Sequence, residues 1–132
     1  IMAAAVADYR PQQYPDHKLK HQGEAPLIHL VENPDIAASL GQQKQAHQIL
    51  VGFALETQNA LNNARKKREK KNLDLIVLNS LQDAGAGFNH DTNRITIIDQ
   101  DNNLTEFALK SKQAVAKDIL AAVIHLLNQA PG

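Results

Sequence analysis

Four short aliphatic runs, separated by polar segments, constrain the fold of this chain more than any other feature of its sequence. The runs are IMAAAVA (1–7), LIHLVE (27–32), ILVGFAL (49–55) and LDLIVLNS (73–80). Short continuous apolar runs are typical of strands buried on both faces, as in parallel sheets covered by helices. The chain has 132 residues, which suits one domain. We therefore predict a single α/β domain.

Helix signals lie between and after these runs. Asn33 is placed to cap a first helix, Pro34 suits its first position, and Asp35 would lie near its positive end. A last amphipathic helix is predicted to follow Ser111 as its cap. Its predicted core stripe consists of Val115, Ile119, Val123 and Leu126.

A middle helix is predicted over residues 56–72, with Thr57 as its cap. Its predicted inward-facing residues are Ala60, Leu61 and Ala64.

Downstream, RITIID and LTEFALK alternate in polarity and are joined by QDNN, the pattern of a β-hairpin. The order of elements predicts a three-layer, Rossmann-like, mostly parallel sheet flanked by helices, with a C-terminal antiparallel hairpin.

Ligands of such open sheets bind beyond the carboxyl ends of the strands. The residues predicted at those ends are Ala7, Asp8, Phe53, Ala54 and Asn79. Asp8 would accept hydrogen bonds from a ribose hydroxyl or a base amino group; alternatively, it caps a turn. Phe53 would pack against a nucleobase; alternatively, it belongs to the core.

Charge and cysteine content limit the classes of function. Lys plus Arg and Asp plus Glu number 14 each, so no overall field draws nucleic acid or a membrane surface. The chain has no Cys, hence no disulfide and no cysteine metal site, as in a reducing cytoplasm. We expect a soluble, cytoplasmic protein. Because the chain opens inside an apolar run, we also expect that an N-terminal part of the fold is missing.

A cluster of cations marks the middle helix, in the segment ARKKREKK (64–71). Lys67 and Lys71 lie four residues apart and so share one helix face, where they would grip a polyphosphate. The alternative is a solvated face whose cations suit the negative C-terminal end of the helix. Both interpretations stay open on the residues alone.

A proline-marked basic loop, residues 11–25, follows the first run. Lys18 and Lys20 alternate within KLKH, and the prolines would stiffen a flap that lays these lysines over an anion. The alternative is an ordinary surface turn. His17 and His21 do not form a metal-binding pattern, because proline disfavours the helix that would bring them together. No metal ligand is identified in this chain.

Several longer motifs follow one another in a fixed order: AAVADYRP, KLKH, NPDI, VGFALET, ARKKREKKNLDLIVLN, GFNHDTNRITII and the closing amphipathic helix. In this order they closely resemble the bacterial phosphopantothenoylcysteine synthetase domain. In that family the domain is usually the C-terminal part of a bifunctional coenzyme A biosynthesis protein. The resemblance implies that residues 1–132 are the C-terminal part of one such domain.

The resemblance also implies an activity. The family joins 4′-phosphopantothenate to L-cysteine through an acyl-cytidylate made from CTP, with Mg²⁺ assisting at the triphosphate. A homodimer is implied, and the hairpin of residues 94–109 offers edge strands for pairing. FMN is implied only where a decarboxylase domain lies upstream.

The resemblance carries the family's site onto particular residues of this chain. Lys18, in the flap, is the implied catalytic residue. The implied CTP-binding residues are Ala4, Asp8, Lys18, Pro34, Asp35, Ile36, Ala37, Phe53, Lys67 and Lys71. Residues 34–37 would offer the free backbone amides of a helix N-terminus to an anion.

The chain departs from the family pattern in two places. The family flap reads Lys-x-Lys-Lys, whereas here His21 stands last, so Lys20 and His21 are flap residues without a settled role. The family's glycine-rich phosphate segment and its essential asparagine would lie before Ile1. The alternative function is a non-catalytic nucleotide-binding or assembly fragment. A Rossmann-type reductase half is disfavoured because the G-x-G-x-x-G fingerprint is missing from this sequence.

Overall fold

The computed structural model describes residues 1–20, 23, 27–80 and 91–129, which contain eight strands and three helices. In chain order these are β1 (Tyr9–Pro11), β2 (Leu30–Glu32), α1 (Ile36–Gln43), β3 (Val51–Glu56), α2 (Ala60–Lys70), β4 (Leu75–Ser80), β5 (Thr92–Asn93), β6 (Ile95–Asp99), β7 (Leu104–Glu106), β8 (Lys110–Ser111) and α3 (Lys112–Gln129).

A four-stranded mixed sheet of order β3-β4-β6-β7 forms the centre of the fold. β3 and β4 are parallel, whereas β4–β6 and β6–β7 are antiparallel. Parallel neighbouring strands need a crossover connection, and α2 is the helix that connects the end of β3 to the start of β4. Residues 75–78 of β4 are each at most 4% exposed. The central strand is therefore covered on both faces, as its continuous apolar run predicts.

Two separate apolar clusters lie on the two faces of the sheet. One cluster joins Ala64 of α2 to Ala54, Ile76 and Ile98. The other joins Val115 and Ile119 of α3 to the opposite face of the same strands, with Val123 and Leu126 packed against it. The predicted three-layer α/β class and the core stripe of the last helix are thus confirmed.

The predicted hairpin and the cap of the last helix are also confirmed. β6 pairs with β7 around the turn at residues 100–103. The Asp99 carboxylate accepts hydrogen bonds from the amides of Asp101 and Asn103, each at 2.9 Å. The Ser111 hydroxyl accepts one from the Ala114 amide at 3.2 Å.

The first aliphatic run does not form the predicted strand. Residues 3–8 are exposed, and no strand is present over residues 1–7. The Met2 amide donates to the Val51 carbonyl at 2.8 Å, which lays the run beside β3 without a ladder. Four of the seven side chains are alanines, whose small apolar area stabilises a strand only weakly. The prediction of a buried central strand is therefore wrong for the described structure.

The second aliphatic run also lies outside the central sheet. Its last residues form β2, which pairs with β1 in an antiparallel ribbon from Tyr9 opposite Glu32 to Pro11 opposite Leu30. We call residues 9–32 the arm. Because neither early run joins the sheet, the described sheet has one parallel pair rather than being mostly parallel.

Helix starts differ from the predicted ones. Asp35, not Asn33, is the N-cap of α1, and its carboxylate accepts a hydrogen bond from the Ala38 amide at 3.0 Å. α2 begins after Asn59, which has a φ of 48°, rather than at Thr57. β3 pairs with β4 as far as residue 56, and because of this tertiary contact the helix begins later in the chain than predicted. Leu61, predicted to face inward, is 38% exposed.

A close backbone approach fixes α1 against the end of α2. Gly41 is buried, and a Cβ there would collide with the backbone carbonyl oxygen of Lys71. The Asn72 side-chain amide donates to the Gly41 carbonyl at 2.8 Å, which closes the contact. Only a residue without a side chain fits this position.

We expect Gly41→Ala to lower the free energy of unfolding by about 1–3 kcal/mol, because an added methyl group must displace backbone rather than a flexible side chain. Urea unfolding followed by circular dichroism measures the change. Gln42→Ala, at the exposed neighbouring position of the same helix, is the matched control and should be nearly neutral. A Gly41→Ala variant as stable as the parent protein would contradict the close backbone contact.

Candidate functional site

A cleft of about 530 Å³ lies along β3, at the edge of the described sheet. Its walls come from four places: residues 2–9, the junction between β2 and α1, the end of α2, and β3 itself. The residues that line it include Ala4, Ala7, Asp8, Asn33, Pro34, Asp35, Ile36, Ala37, Gly52, Phe53, Lys70 and Lys71. The cleft is therefore lined both by backbone of β3 and of the first run and by the charged side chains of Asp8, Asp35 and Lys71.

Asn33 joins the first run to the start of α1. Its side-chain amide donates to the Ala7 carbonyl at 2.7 Å, and its backbone amide donates to the Asp8 carbonyl at 2.8 Å. Arg10 donates from Nη1 to the Asn33 side-chain oxygen and to the Glu32 carbonyl, both at 2.9 Å. These bonds fix the backbone at Asp8 beside the residues that begin α1.

An ion pair between Asp35 and Lys71 links α1 to the end of α2 across the cleft wall, at 3.2 Å. The hydrogen bond from the Ala38 amide is the main cause that holds the pKa of Asp35 below its ordinary value, and Lys71 lowers it further. Asp35 therefore stays ionised at neutral pH. The Asp35 carboxylate accepts the hydrogen bond of the Ala38 amide. The sequence predicts free backbone amides at the N-terminus of α1, but this one is already bonded.

A second ion pair stands one helical turn away, where Lys67 Nζ lies 2.6 Å from Glu56 Oε1. The other oxygen of Glu56 accepts from the Asn63 side chain at 3.2 Å. Lys67 beside it is the main cause that holds the pKa of Glu56 below its ordinary value, with Asn63 adding to the effect. Lys67 and Lys71, the two lysines that the sequence singles out in the middle helix, thus each have a carboxylate partner.

The cleft brings together eight of the ten residues that the resemblance implies for nucleotide binding. They are Ala4, Asp8, Pro34, Asp35, Ile36, Ala37, Phe53 and Lys71. Lys67 does not line the cleft, but it lies one turn from Lys71 on the same face of α2. The sequence motifs are far apart along the chain, so their convergence comes from the fold.

The implied flap lysines are not part of the cleft wall. Lys18 and Lys20 are exposed on the arm and do not line the cleft. His21 lies outside the described residues. The arm nevertheless begins directly after Asp8 and ends directly before Asn33, so β1 starts and β2 ends at the rim of the cleft.

Phe53 lies within β3 rather than at its carboxyl end, because the strand continues to Glu56. Its side chain is 44% exposed and it contributes to the cleft. Asn79 likewise lies within β4 and does not line the cleft. The cleft therefore follows β3 along the edge of the described sheet. The predicted placement at or beyond the carboxyl end of a strand is wrong for Phe53, Ala54 and Asn79.

Sequence reasoning missed Asn33, Arg10 and Glu56 as residues that build this region. Asn33 and Arg10 act across more than twenty residues of chain, and no local pattern indicates such a contact. The sequence pattern places Glu56 in the helix instead. The alternation Gly52, Ala54, Glu56 along β3 is the signal that places its side chain on the face covered by α2.

The described residues contain no group of three or more His, Cys, Asp or Glu side chains able to hold a metal ion. Among those same residues, none of the helices combines the length and the apolar character needed to cross a bilayer.

The chain also matches known proteins over nearly its full length. A curated relative from an unknown prokaryotic organism, named Cysteine/Cysteine sulfinic acid decarboxylase, is 52% identical over 128 residues, covering 97% of this chain and 36% of that protein. The Coenzyme A biosynthesis bifunctional protein CoaBC of Bacillus subtilis (strain 168) is 45% identical over 129 residues, covering 98% of this chain and 32% of that protein. The chain thus spans about a third of the length of these relatives.

A solved structure agrees with these sequence matches. The crystal structure of the C-terminal domain of Coenzyme A biosynthesis bifunctional protein CoaBC superposes with a TM-score of 0.72 at 35% identity, covering 96% of this chain and 53% of that one. Residues 1–127 match the family described as the DNA/pantothenate metabolism flavoprotein C-terminal domain. The family resemblance read from the sequence motifs is therefore confirmed, and this chain belongs to the DNA/pantothenate metabolism flavoprotein C-terminal domain family.

Proposed function

We propose that this chain supplies a nucleotide-binding part of a ligase in coenzyme A biosynthesis, one that joins 4′-phosphopantothenate to L-cysteine at the expense of CTP. The observation that carries the proposal is the cleft, which brings together eight of the implied positions from four separate segments of the chain, with Lys71 at its wall. Support also comes from the family match and from the Bacillus relative, whose name places it in coenzyme A biosynthesis.

The proposed reaction has two steps. The carboxylate of 4′-phosphopantothenate attacks the α-phosphate of CTP, which forms an acyl-cytidylate and releases pyrophosphate. The amine of cysteine then attacks the acyl carbon, forms the amide bond and displaces CMP, and it loses a proton. In the first step two anions must approach each other, so cationic groups are needed where the new bond forms.

Each part of the cleft has a proposed role. The backbone from Ala4 to Asp8 and the ring of Phe53 would contact the cytidine, with the Asp8 carboxylate accepting from a hydroxyl or amino group. Lys71 and Lys67 would hold the triphosphate as charge-assisted donors. Residues 34–37, at the start of α1, would border the phosphates. The base would then lie near the first run and the phosphates near the end of α2.

Lys18 is the proposed catalytic residue. It lies on the arm, whose two strands are attached at the rim of the cleft beside Asp8 and Asn33. A lysine carried by such an arm would neutralise charge at the junction of carboxylate and α-phosphate, and a closing arm would exclude water from the acyl-cytidylate. Lys20 and His21 belong to the same proposed flap.

Magnesium fits the cleft only as a partner of the triphosphate. Asp8, Glu32 and Asp35 bring hard carboxylate oxygens to the lining, which magnesium prefers, but Asp35 is already paired with Lys71. The described residues hold no cluster of carboxylates able to bind the ion by themselves, so the phosphates of CTP would supply most of its ligands. When bound, the ion would neutralise phosphate charge.

Further properties of the whole protein are proposed on the same basis. A cytoplasmic homodimer is proposed, and β7, an exposed edge strand of the described sheet, offers a surface for pairing. FMN is proposed only for a decarboxylase domain upstream. The decarboxylase name of one relative applies to a protein of which this chain covers 36%.

Nucleotide choice tests the proposal directly. We expect the complete enzyme to bind CTP in preference to ATP, because a site that hydrogen-bonds one base edge leaves polar groups unpaired with another. Competition between the two nucleotides, followed by calorimetry, measures the preference. Equal affinity for ATP would contradict the assignment of residues 4–8 and Phe53 to base recognition.

Replacing Lys67 tests the triphosphate contacts. We expect Lys67→Gln to weaken CTP binding about tenfold to a hundredfold and CMP binding far less, because one charge-assisted contact contributes about 1.5–3 kcal/mol. Lys66→Gln, on the exposed neighbouring position, is the matched control. If CTP and CMP lose the same affinity, the cations of α2 form a solvated face.

Replacing Lys18 tests the arm. We expect Lys18→Gln to retain near-normal CTP binding and stability, since the arm contributes little to the core, while pyrophosphate release without cysteine nearly vanishes. His21→Ala should be milder, because a histidine is only partly charged near neutral pH. Lys117→Gln on the exposed face of α3 serves as the control. An unchanged rate of pyrophosphate release would make the arm a surface loop.

A further inference from the structure

α2 carries more cations than its own acidic residue can neutralise. Residues 65–71 hold six Lys and Arg residues and one acid, Glu69, and Glu69 lies 3.6 Å from Arg68. Lys71 stands one turn beyond Lys67 and repels it, since like charges four residues apart destabilise a helix. The position of the Lys67 ammonium therefore depends on an acid from outside the helix.

Glu56 is that acid, and it is held from two sides. Lys67 lies 2.6 Å from one carboxylate oxygen, and the Asn63 side chain donates to the other at 3.2 Å. Asn63 also donates to the Gln58 carbonyl at 3.1 Å, which ties the amide to the β3–α2 connection. The Glu56 side chain is 12% exposed and that of Lys67 is 48% exposed. The Glu56 side chain is thus largely buried, whereas the Lys67 side chain is about half exposed.

We infer that Glu56 is a positioning residue for Lys67, which it holds in place for the triphosphate; the inference rests on the proposed function and deepens it. A lysine side chain has a flexible four-carbon stem whose ordering costs binding free energy. Glu56 orders that stem before the nucleotide arrives, from a strand paired along its length with β4. Contact with one carboxylate oxygen leaves further ammonium donors for a phosphate.

Glu56 could also act in the opposite direction and weaken the binding of CTP. A carboxylate near a triphosphate repels it, and if that repulsion dominated, neutralising Glu56 would tighten CTP binding. Here the largely buried Glu56 carboxylate is paired with the half-exposed Lys67, and Asn63 donates to its second oxygen. We therefore expect the gain from ordering Lys67 to exceed the repulsion, and the sign of the effect decides between the two.

A double-mutant cycle tests the inference in the complete enzyme. Glu56→Gln, Lys67→Gln and the double variant are compared by calorimetric dissociation constants for CTP and for CMP. We expect Glu56→Gln to weaken CTP about threefold to thirtyfold and to leave CMP unchanged. In the Lys67→Gln background the same substitution should have no further effect. A general loss of structure would weaken both nucleotides, so the CTP-to-CMP ratio isolates positioning.

The outcomes separate this inference from the proposed function. If Lys67→Gln weakens CTP but Glu56→Gln leaves it unchanged or tightens it, the inference fails and the triphosphate assignment stands. An equal effect of Glu56→Gln with and without Lys67 also overturns the inference. If Lys67→Gln has no effect on CTP, the triphosphate assignment and the inference fail together.

Matched variants guard against a trivial result. Asp118→Asn breaks a comparable ion pair, 2.7 Å from Lys110, outside the cleft lining, and should leave CTP binding unchanged. If Glu56→Gln fails to fold, Asn63→Ala loosens the same carboxylate without removing it. That variant should weaken CTP by a smaller factor and leave CMP unchanged, and an unaltered CTP affinity would overturn the inference.

Discussion

The parallel pairing of β3 with β4 is the constraint on which the rest of the described structure depends. Parallel neighbours cannot be joined by a tight turn, so α2 must cross the sheet between them. Gly52 lets the connection pack closely, since a Cβ there would lie 2.6 Å from the Leu73 side chain. The crossover places one face of α2 in the core and leaves the stripe with Lys67 and Lys71 beside the edge of β3.

Two ion pairs, one at the cleft wall and one a helical turn away from it, neutralise charge around the cleft. Lys71 is paired with Asp35 and Lys67 with Glu56, and the pKa values of both carboxylates are held below their ordinary values. Both pairs therefore persist at neutral pH and are lost only as the pH falls through the lowered pKa values. An anionic ligand would meet lysines that are already ordered, and it would have to add to these pairs or exchange with them.

Backbone contacts then fix the remaining walls. Gly41 brings α1 against the Lys71 carbonyl, which sets the distance between the start of α1 and the end of α2. Asn33 ties the first run to the same place through Ala7 and Asp8. Both ends of the arm, residues 9 and 32, lie at this junction. The arm is therefore attached at the rim of the cleft.

The sequence by itself determined the α/β class, the two long aliphatic strands, the hairpin and the amphipathic last helix. Each of these depends on local periodicity or turn chemistry, and the ordered motifs also identified the family. Only the tertiary structure decided that residues 1–7 form no strand, that β3 runs on to Glu56, and that Asp35 rather than Asn33 caps α1. Pairing with β4 extends β3, and bonds to residues more than twenty positions away hold the Asn33 side chain, because such tertiary contacts outweigh the local preferences that a sequence pattern records.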